Sequence, residues 1–188
     1  MQEDVNSWAL LIEFIKADYY QTFGKVISFS GFMKAYFRSV GGFKFSVWLR
    51  IVRFFYLQDK KLLCTISKLI YKHYMIKYGI EILYTARIGK GLVIHHFGGI
   101  TFGIESMGEN CSVRPGVVIG NNGYQEGKPV IGNNVLFGVG CKVIGKIKIG
   151  DNVIIGANAV VTHDVPDNVV VAGIPAKILR NNTPILEE

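Results

Sequence analysis

Large apolar residues recur at every sixth position through the second half of the chain. From Ile131 the sequence reads IGNNVL, FGVGCK, VIGKIK, IGDNVI, IGANAV and VTHDVP. A spacing of six matches neither the helical period of 3.6 nor the alternation of a long strand. It is typical of a solenoid whose faces are short parallel strands, with one side chain per face turned inward. The leading residues are Ile131, Phe137, Val143, Ile149, Ile155 and Val161.

The same register extends upstream, so the solenoid is predicted to begin near residue 80. It runs back through Ile119, Val113 and Met107, and an earlier run out of phase with it suggests one extra residue near Ser106. Three faces make a coil of about 18 residues, and coils stack at about 4.8 Å. Glycine and asparagine suit the corners, where positive φ is tolerated. The earlier run is Ile82, Ile88, Ile94 and Ile100, and the corner asparagines are Asn133, Asn134, Asn152 and Asn158.

The part of the chain before Glu81 has a different composition from the rest. It holds 12 Lys and Arg against 5 Asp and Glu, and 18 of the 23 aromatic residues. Apolar spacing predicts helices in this part, including residues 43–57 and 60–79. Two interpretations remain open and are compatible: a cap over the open end of the solenoid, or an interfacial helix pair at an anionic membrane. The proposed basic face consists of Lys60, Lys61, Lys68, Lys72 and Lys77.

Composition excludes several other classes of protein. The 188 residues are 49% apolar and 19% charged, which excludes a disordered chain. Three widely spaced cysteines form neither a disulfide framework nor a metal motif, which favours a reducing compartment. Early acidic residues and the lack of a long uncharged apolar run argue against a signal peptide and a membrane span. No nucleic-acid-binding module accompanies the net charge of +7. We expect a cytoplasmic protein, located at the inner face of the membrane if the helices contact lipid.

The repeat, together with AGIPAKIL at residues 172–179, resembles the hexapeptide-repeat acyltransferases. Residues 81–180 are most similar to the serine acetyltransferase branch and its relatives that acetylate surface polysaccharides. The resemblance implies a left-handed parallel β-helix, acetyl-coenzyme A (acetyl-CoA) as donor, and a homotrimer. The predicted fold is therefore mainly β. A helical segment spans residues 1–79, the β-helix residues 80–180, and a tail residues 181–188. A β-sandwich with chance spacing is the alternative fold.

One histidine is the candidate general base. His96 lies in GLVIHHFGGI, which resembles the serine acetyltransferase segment that carries the catalytic histidine. An imidazole with a pKa near neutrality can take the proton of an attacking hydroxyl. In the family an aspartate upstream of this histidine orients the imidazole, and Glu81 stands at the corresponding position here. From spacing alone, His96 also fits a surface residue at a solenoid corner. His73 and His163 are expected to be structural and solvated, respectively.

The positions implied to contact the acceptor differ from those of the serine enzymes. His95 replaces an aspartate, and Gly127 and Lys128 replace an Arg-His pair before Pro129. A zwitterionic amino acid needs an anion and a cation in its site, so these changes weaken the case for serine. His95 either contacts the acceptor or points away. Residues 120–129, which interrupt the repeat, are predicted to form a loop that walls the site or a turn without a role.

The resemblance also implies a donor groove between adjacent solenoids. Lys177 and Arg180 follow the last coil, where they would meet phosphates or serve as ordinary solvated residues. No metal is expected, because no histidine has metal-ligand spacing. The groove positions implied by the family are Gly138, Val139, Gly156 and Ala157.

The sequence therefore predicts an acetyl-CoA-dependent O-acetyltransferase with direct transfer. The acceptor favoured by the changed positions and the basic aromatic segment is a sugar hydroxyl of a bacterial surface polysaccharide. Serine is the alternative acceptor. A non-catalytic solenoid scaffold is a third hypothesis, which the presence of His96 and Glu81 disfavours.

Overall fold

The computed structural model describes residues 3–38, 41–123 and 126–182. In this part of the chain helices come first and short strands follow. The helices are α1 (Trp8–Phe23), α2 (Phe29–Arg38), α3 (Gly41–Leu57) and α4 (Lys61–Tyr78). The strands are β1 (Ile80–Ile82), β2 (Arg87–Ile88), β3 (Val93–Ile94), β4 (Ile100–Phe102), β5 (Ser106–Met107), β6 (Ser112–Val113), β7 (Val118–Gly120), β8 (Val130–Ile131), β9 (Leu136–Phe137), β10 (Lys142–Ile144), β11 (Lys148–Ile149), β12 (Ile154–Ile155), β13 (Val160–Val161), β14 (Val169–Gly173) and β15 (Ala176–Asn181).

The strands form the three faces of a solenoid. Face A contains β1, β4, β7, β10 and β13; face B contains β2, β5, β8 and β11; face C contains β3, β6, β9, β12 and β14, with β15 antiparallel at its edge. All other pairings are parallel. The predicted left-handed parallel β-helix preceded by helices is confirmed. Every leading residue of the six-residue repeat, from Ile131 to Val161, is buried in the axis.

The position of the phase change is not where the sequence suggested. On face A, Ile82 pairs with Phe102 and Phe102 with Ile119, so Phe102 occupies the inward position expected for Ile100. Eight positions separate Ile94 from Phe102, whereas six separate Val113 from Ile119. Two extra residues therefore lie in the corner between β3 and β4, before Ser106. Ile100 is also buried, which is why the six-residue apolar spacing continues through it.

Asparagine ladders support one set of corners, as the sequence predicts. Asn134 and Asn152, between faces B and C, have a φ of 54°, and Asn158, at the corner between faces C and A, has a φ of 55°. The Asn134 side-chain amide donates to Oδ1 of Asn152, and the Asn152 amide to Oδ1 of Asn168, each at 2.9 Å. Asn133 differs, since its backbone and side-chain N–H groups both donate to Asp151.

Helices α3 and α4 cover the first coil. Phe45 and Leu49 of α3 and Tyr71 of α4 share one apolar core with Ile80 and Ile82 of the solenoid. The start of α3 touches β3 so closely that a Cβ on Gly42 would overlap the Ile94 carbonyl. The arrangement agrees with the cap hypothesis. Within the described residues, no helix is both long enough and apolar enough to cross a bilayer.

A buried ion pair joins the cap to the solenoid. Arg50 of α3 donates to both carboxylate oxygens of Asp18 at 3.0 and 3.1 Å. The same guanidinium donates to the carbonyls of Ile88 at 2.6 Å and Gly89 at 2.7 Å, and Asp18 accepts from the Leu92 amide at 2.8 Å. Burial raises the pKa of Asp18, against the lowering effects of Arg50 and the neighbouring amides. The positive charge of Arg50 is therefore buried at the junction between the helical cap and the solenoid, and it is not part of an exposed basic surface.

The side chains of Arg53 and of the three cysteines are also buried. Arg53 pairs with Asp4 and donates to the Thr85 carbonyl at 2.7 Å. All three cysteines are free and buried, and burial raises the pKa of Cys111 and Cys141 to about 12. These two thiols therefore stay protonated at neutral pH.

Removing the carboxylate of the junction is expected to destabilise the whole chain. Asp18→Ala leaves Arg50 buried without its counter-ion and should cost about 3–5 kcal/mol of unfolding free energy. Urea unfolding followed by circular dichroism measures this. The control is Glu105→Ala, which breaks the exposed Arg87–Glu105 pair and should cost less than about 1 kcal/mol. Equal losses in the two variants would contradict a special role for the buried pair.

Candidate active site at an extended corner

The two extra residues form a bulge that contains the candidate base. His95 lies in register with Arg114 on the next coil, and Gly99 lies in register with Gly116. Between these positions the first coil has three residues, 96–98, where the second has only Pro115. The extra length cannot enter the strands, which are hydrogen-bonded on both sides of the corner. The His96 segment therefore projects from the solenoid, and its side chain is exposed.

His96 has an unusual backbone conformation. Its φ is +60°, and the following Gly98 and Gly99 also have positive φ. Among the described non-glycine residues with positive φ, all except Asp59 and His96 are asparagines. A left-handed conformation is uncommon in residues other than glycine, although asparagine, aspartate and histidine adopt it more often than the rest, and such conformations cluster at functional sites. The strain marks this corner as a candidate site independently of any motif.

A row of Pro, Val and Ala residues runs down one edge of the solenoid from this corner, and the family resemblance implies that a donor groove forms along this row. Pro115, Val139 and Ala157 follow one another in register below the bulge. Beside them the backbones of Gly138 and Gly156 approach so closely that a Cβ on Gly138 would lie 2.6 Å from the Ala157 nitrogen. From the bulge to Ala157 the groove spans three strand spacings, about 14 Å. Gly138, Val139, Gly156 and Ala157 are the groove positions that the family resemblance implied, and Pro115 is not one of them.

Lys177 lies at the far end of the same edge. Its register partner on β14 is Ala172, which stacks directly on Gly156. Arg180 pairs with Val170 further along β15. Both basic side chains are exposed. The hairpin of β14 and β15 thus brings a cation, Lys177, to the end of the groove opposite His96.

Glu81 does not contact His96 in this structure. Its register partner is Thr101, because Ile80 aligns with Ile100 across this longer coil. Glu81 lies on face A of the first coil, and Thr101 lies on face A of the second. Two positions before Glu81, the Gly79 carbonyl accepts a hydrogen bond from the Ile100 amide at 3.2 Å. Among the described residues no hydrogen bond joins the two side chains. Glu81 lies on the first strand of the first coil and His96 at its end, both side chains are exposed, and their pairing stays a prediction.

His95 and Arg114 form a second pair of groups at the corner. Partial burial lowers the pKa of His95, and the positive charges of Arg114 and His96 lower it further. The lowered pKa favours the neutral imidazole, which can accept a hydrogen bond. Arg114 was missed by the sequence analysis, because no motif includes it. The phase change in the six-residue repeat could have indicated Arg114, because it marks the corner at which Arg114 lies.

The remaining candidates are not brought to this corner within one chain. Lys128 precedes β8 at the corner between faces A and B, on the opposite edge of face A from His96. Of the interrupting loop, residues 124–125 lie outside the described residues. His163 is exposed on the last coil beside Thr162, and His73 lies edge-on to Tyr74 on α4. Over the described ranges, no three His, Cys, Asp or Glu side chains cluster as metal ligands would.

Comparisons with known proteins agree with the geometry. Residues 128–163 match the family described as bacterial transferase hexapeptide (six repeats). The serine acetyltransferase of Synechococcus elongatus is 39% identical over 141 residues, which cover 73% of this chain and 57% of that protein. Crystal structures of serine acetyltransferases from Brucella abortus with coenzyme A and from Neisseria gonorrhoeae with serine give TM-scores of 0.78 and 0.76. The Brucella abortus protein is 28% identical, and the match covers 94% of this chain and 70% of that protein. The Neisseria gonorrhoeae protein is 26% identical, and the match covers 94% of this chain and 72% of that protein.

Residues 128–163 thus carry the repeat of the bacterial hexapeptide transferases, within a solenoid that the preceding and following coils continue. Over most of its length, the chain resembles the serine acetyltransferase branch, as the sequence predicts. The chain spans only a little more than half the length of its curated relative, 57%.

The titration of His95 tests the electrostatics of the corner. We expect its imidazole to titrate below the ordinary histidine pKa of about 6.5, because burial and Arg114 both disfavour the imidazolium. Arg114→Gln should raise the pKa towards the ordinary value, since it removes one repelling charge. NMR titration of the ring protons measures both values, and Lys148→Gln on face B serves as a control that leaves the pKa unchanged. A wild-type His95 that titrates above the ordinary value would contradict this description.

Proposed function

We propose that the chain is an acetyl-CoA-dependent O-acetyltransferase whose base is His96. One observation carries the proposal: an exposed histidine with a left-handed backbone stands at the head of the row of residues to which the family resemblance assigns the donor. The similarity to a coenzyme A complex of a serine acetyltransferase supports the same assignment. A scaffold without catalysis has no need for a left-handed histidine at this corner.

The proposed reaction is direct transfer. A ring nitrogen of His96 takes the acceptor hydroxyl proton while the oxygen attacks the thioester carbonyl carbon. The carbon–sulfur bond then breaks, and the coenzyme A sulfur receives the proton from the imidazolium. No covalent enzyme intermediate is needed, because holding both substrates in place supplies much of the rate enhancement. Glu81, after a side-chain rotation, would hold the imidazole and stabilise its charged form.

The proposed donor site is the groove itself. Val139 and Ala157 would line the pantetheine arm, and the bare backbones of Gly138 and Gly156 keep this edge of the solenoid narrow. Lys177 at the far end would meet phosphate groups. The thioester would then lie beside His96. We propose that a neighbouring copy in a trimer closes the groove, since Lys128 can approach His96 only from another chain.

The acceptor best supported by the comparisons is L-serine, the alternative weighed in the sequence analysis. Relatives named serine acetyltransferase, one of them solved with serine, support it over a polysaccharide. In this chain the Arg-His pair of the serine enzymes is absent, and Arg114 offers a different cation for the substrate carboxylate. Neutral His95 would accept a hydrogen bond from the substrate ammonium group.

A sugar hydroxyl is the second candidate acceptor. The observation that favours it is the set of changed positions: His95 for aspartate, with Gly127 and Lys128 for arginine and histidine. A neutral hydroxyl-rich acceptor needs hydrogen-bond partners but no counter-ions. The comparisons give no support to a polysaccharide acceptor, so we place it second. A cytoplasmic location, at the inner membrane face if lipid is bound, remains part of the proposal.

Removing the base should abolish most of the transfer. His96→Ala is expected to lower kcat about 10²- to 10⁴-fold, because the hydroxyl proton then has no acceptor. Glu81→Gln is expected to lose about 10- to 100-fold, as for a charge that stabilises the imidazolium. Thiol release from acetyl-CoA in the presence of acceptor measures both. His163→Ala, an exposed histidine on the last coil, is the control and should retain wild-type rates.

A panel of acceptors separates the two candidate substrates. Thiol release should be fastest with L-serine, and mass spectrometry should find O-acetylserine as product. D-serine and serine methyl ester are the controls, because they misplace the carboxylate or remove its charge. If hexoses and polysaccharide fragments react while serine does not, the second candidate replaces the first. Transfer to neither class, with the base variant equal to wild type, would refute the enzymatic assignment.

A further inference from the structure

Helix α4 carries its most apolar stripe on the outside of the molecule. The side that packs on the cap and solenoid contains Cys64, Ser67, Tyr71 and Tyr78. On the opposite side, Leu62, Leu69 and Ile76 are 74%, 68% and 74% exposed, with Ile66 between them. These residues recur at helical spacing over about four turns, roughly 21 Å. Apolar spacing in the sequence places Leu62, Ile66, Leu69, Ile70, His73 and Ile76 along one side of this helix. The structure shows that nothing in the described part of the chain covers Leu62, Leu69 and Ile76.

The charge around the stripe has one sign. Helix α4 contains Lys61, Lys68, Lys72 and Lys77 and no acidic residue. Around the helix, Lys61 and Lys72 flank one side of the stripe and Lys77 the other. The arrangement is an apolar face bordered by cations, which is typical of a helix lying in the plane of an anionic bilayer surface.

A basic cavity opens beside the start of the stripe. It lies between the end of α3 and the start of α4 and has a volume of about 390 Å³. Lys60, Lys61 and Lys68 line it with the Thr65 hydroxyl, and Asp59 is its one acidic residue. Lys68 lies 4.7 Å from the centre of the Tyr84 ring. Cations, a hydroxyl and tyrosines adjoining an apolar stripe suit an anionic headgroup whose acyl chains lie against the stripe.

We infer that the α4 face, defined as Leu62, Ile66, Leu69 and Ile76 with Lys61, Lys72 and Lys77, docks on an anionic lipid bilayer. The cavity at its start receives a lipid headgroup. A second copy of the chain is a poorer occupant, because a symmetric contact between two such faces would bring lysines of like charge together. An anionic bilayer matches both the apolar stripe and its cationic border.

Vesicle flotation of the full chain tests this inference. Wild-type protein should float at low salt with vesicles made from a two-to-one mixture of phosphatidylcholine and phosphatidylglycerol. It should not float with phosphatidylcholine alone, and about 1 M NaCl should weaken its binding because salt screens the charges. The double variant Lys61→Gln with Lys72→Gln should reduce the vesicle partition coefficient about 20- to 30-fold. This estimate follows from the usual contribution of each lysine to binding at an anionic membrane surface. Leu62→Gln, Leu69→Gln and Ile76→Gln together should reduce it at least about tenfold.

Two matched controls locate the effect on α4. Lys146→Gln with Lys148→Gln removes the same charge from the solenoid, and Val26→Gln with Phe29→Gln removes exposed apolar side chains near α2. Both should bind vesicles as wild type does, and thermal unfolding should show every variant folded. Lack of flotation at low salt would overturn the inference, as would loss of binding in a control. A stripe variant that changes the sedimenting mass while vesicle binding is unchanged would assign the face to self-association.

Discussion

In-register stacking of parallel coils is the constraint on which the rest of the structure depends. Each inward side chain rests on its counterpart one coil away, and each strand is hydrogen-bonded to the strands above and below it. A change in length therefore cannot be absorbed within a face and must appear at a corner. Two additional residues between β3 and β4 accordingly push His96 outward. The same stacking brings Gly138 and Gly156 together, which leaves a narrow edge below the bulge.

The free end of such a stack has unpaired backbone groups that must be satisfied. Arg50 donates to the carbonyls of Ile88 and Gly89 at the top of the first coil, where no further coil exists to do so. Asp18 accepts from the Leu92 amide at the same corner and neutralises the guanidinium. Helices α1 and α3 therefore act as a hydrogen-bonding cap as well as an apolar one. Their position also leaves the outer side of α4 open.

How far the sequence could predict the structure depended on whether the signal was local. The buried row from Ile131 to Val161 was predictable, because each face repeats the same short pattern. The phase change was misplaced because Ile100 and Phe102 are both buried, so spacing alone could not show which one aligns with Ile119. Periodicity likewise found α4 but not its orientation, since both of its sides carry apolar residues.

The partners of charged residues were beyond the reach of sequence patterns. The sequence could not pair Arg50 with Asp18, because Asp18 lies 32 residues away and on another helix. Arg114 belongs to no motif, and only the register of β3 with β6 places it beside His95. The motif marks His96 as a candidate base, which stays a prediction, whereas the bulge that exposes it comes from a length difference between coils.

In the proposed reaction, acceptor choice at this corner would depend on how much water the bound substrates exclude. Arg114 is exposed in the single chain, where water hydrates its guanidinium, so binding a neutral acceptor beside it would cost little free energy. If donor, acceptor and a neighbouring copy covered the corner as proposed, the same cation would lose its hydration and require a partner. A carboxylate supplies both charge and hydrogen-bond acceptors, whereas a sugar supplies only hydroxyl oxygens. Closure would thus convert a solvated surface arginine into a residue that discriminates between the two classes of acceptor.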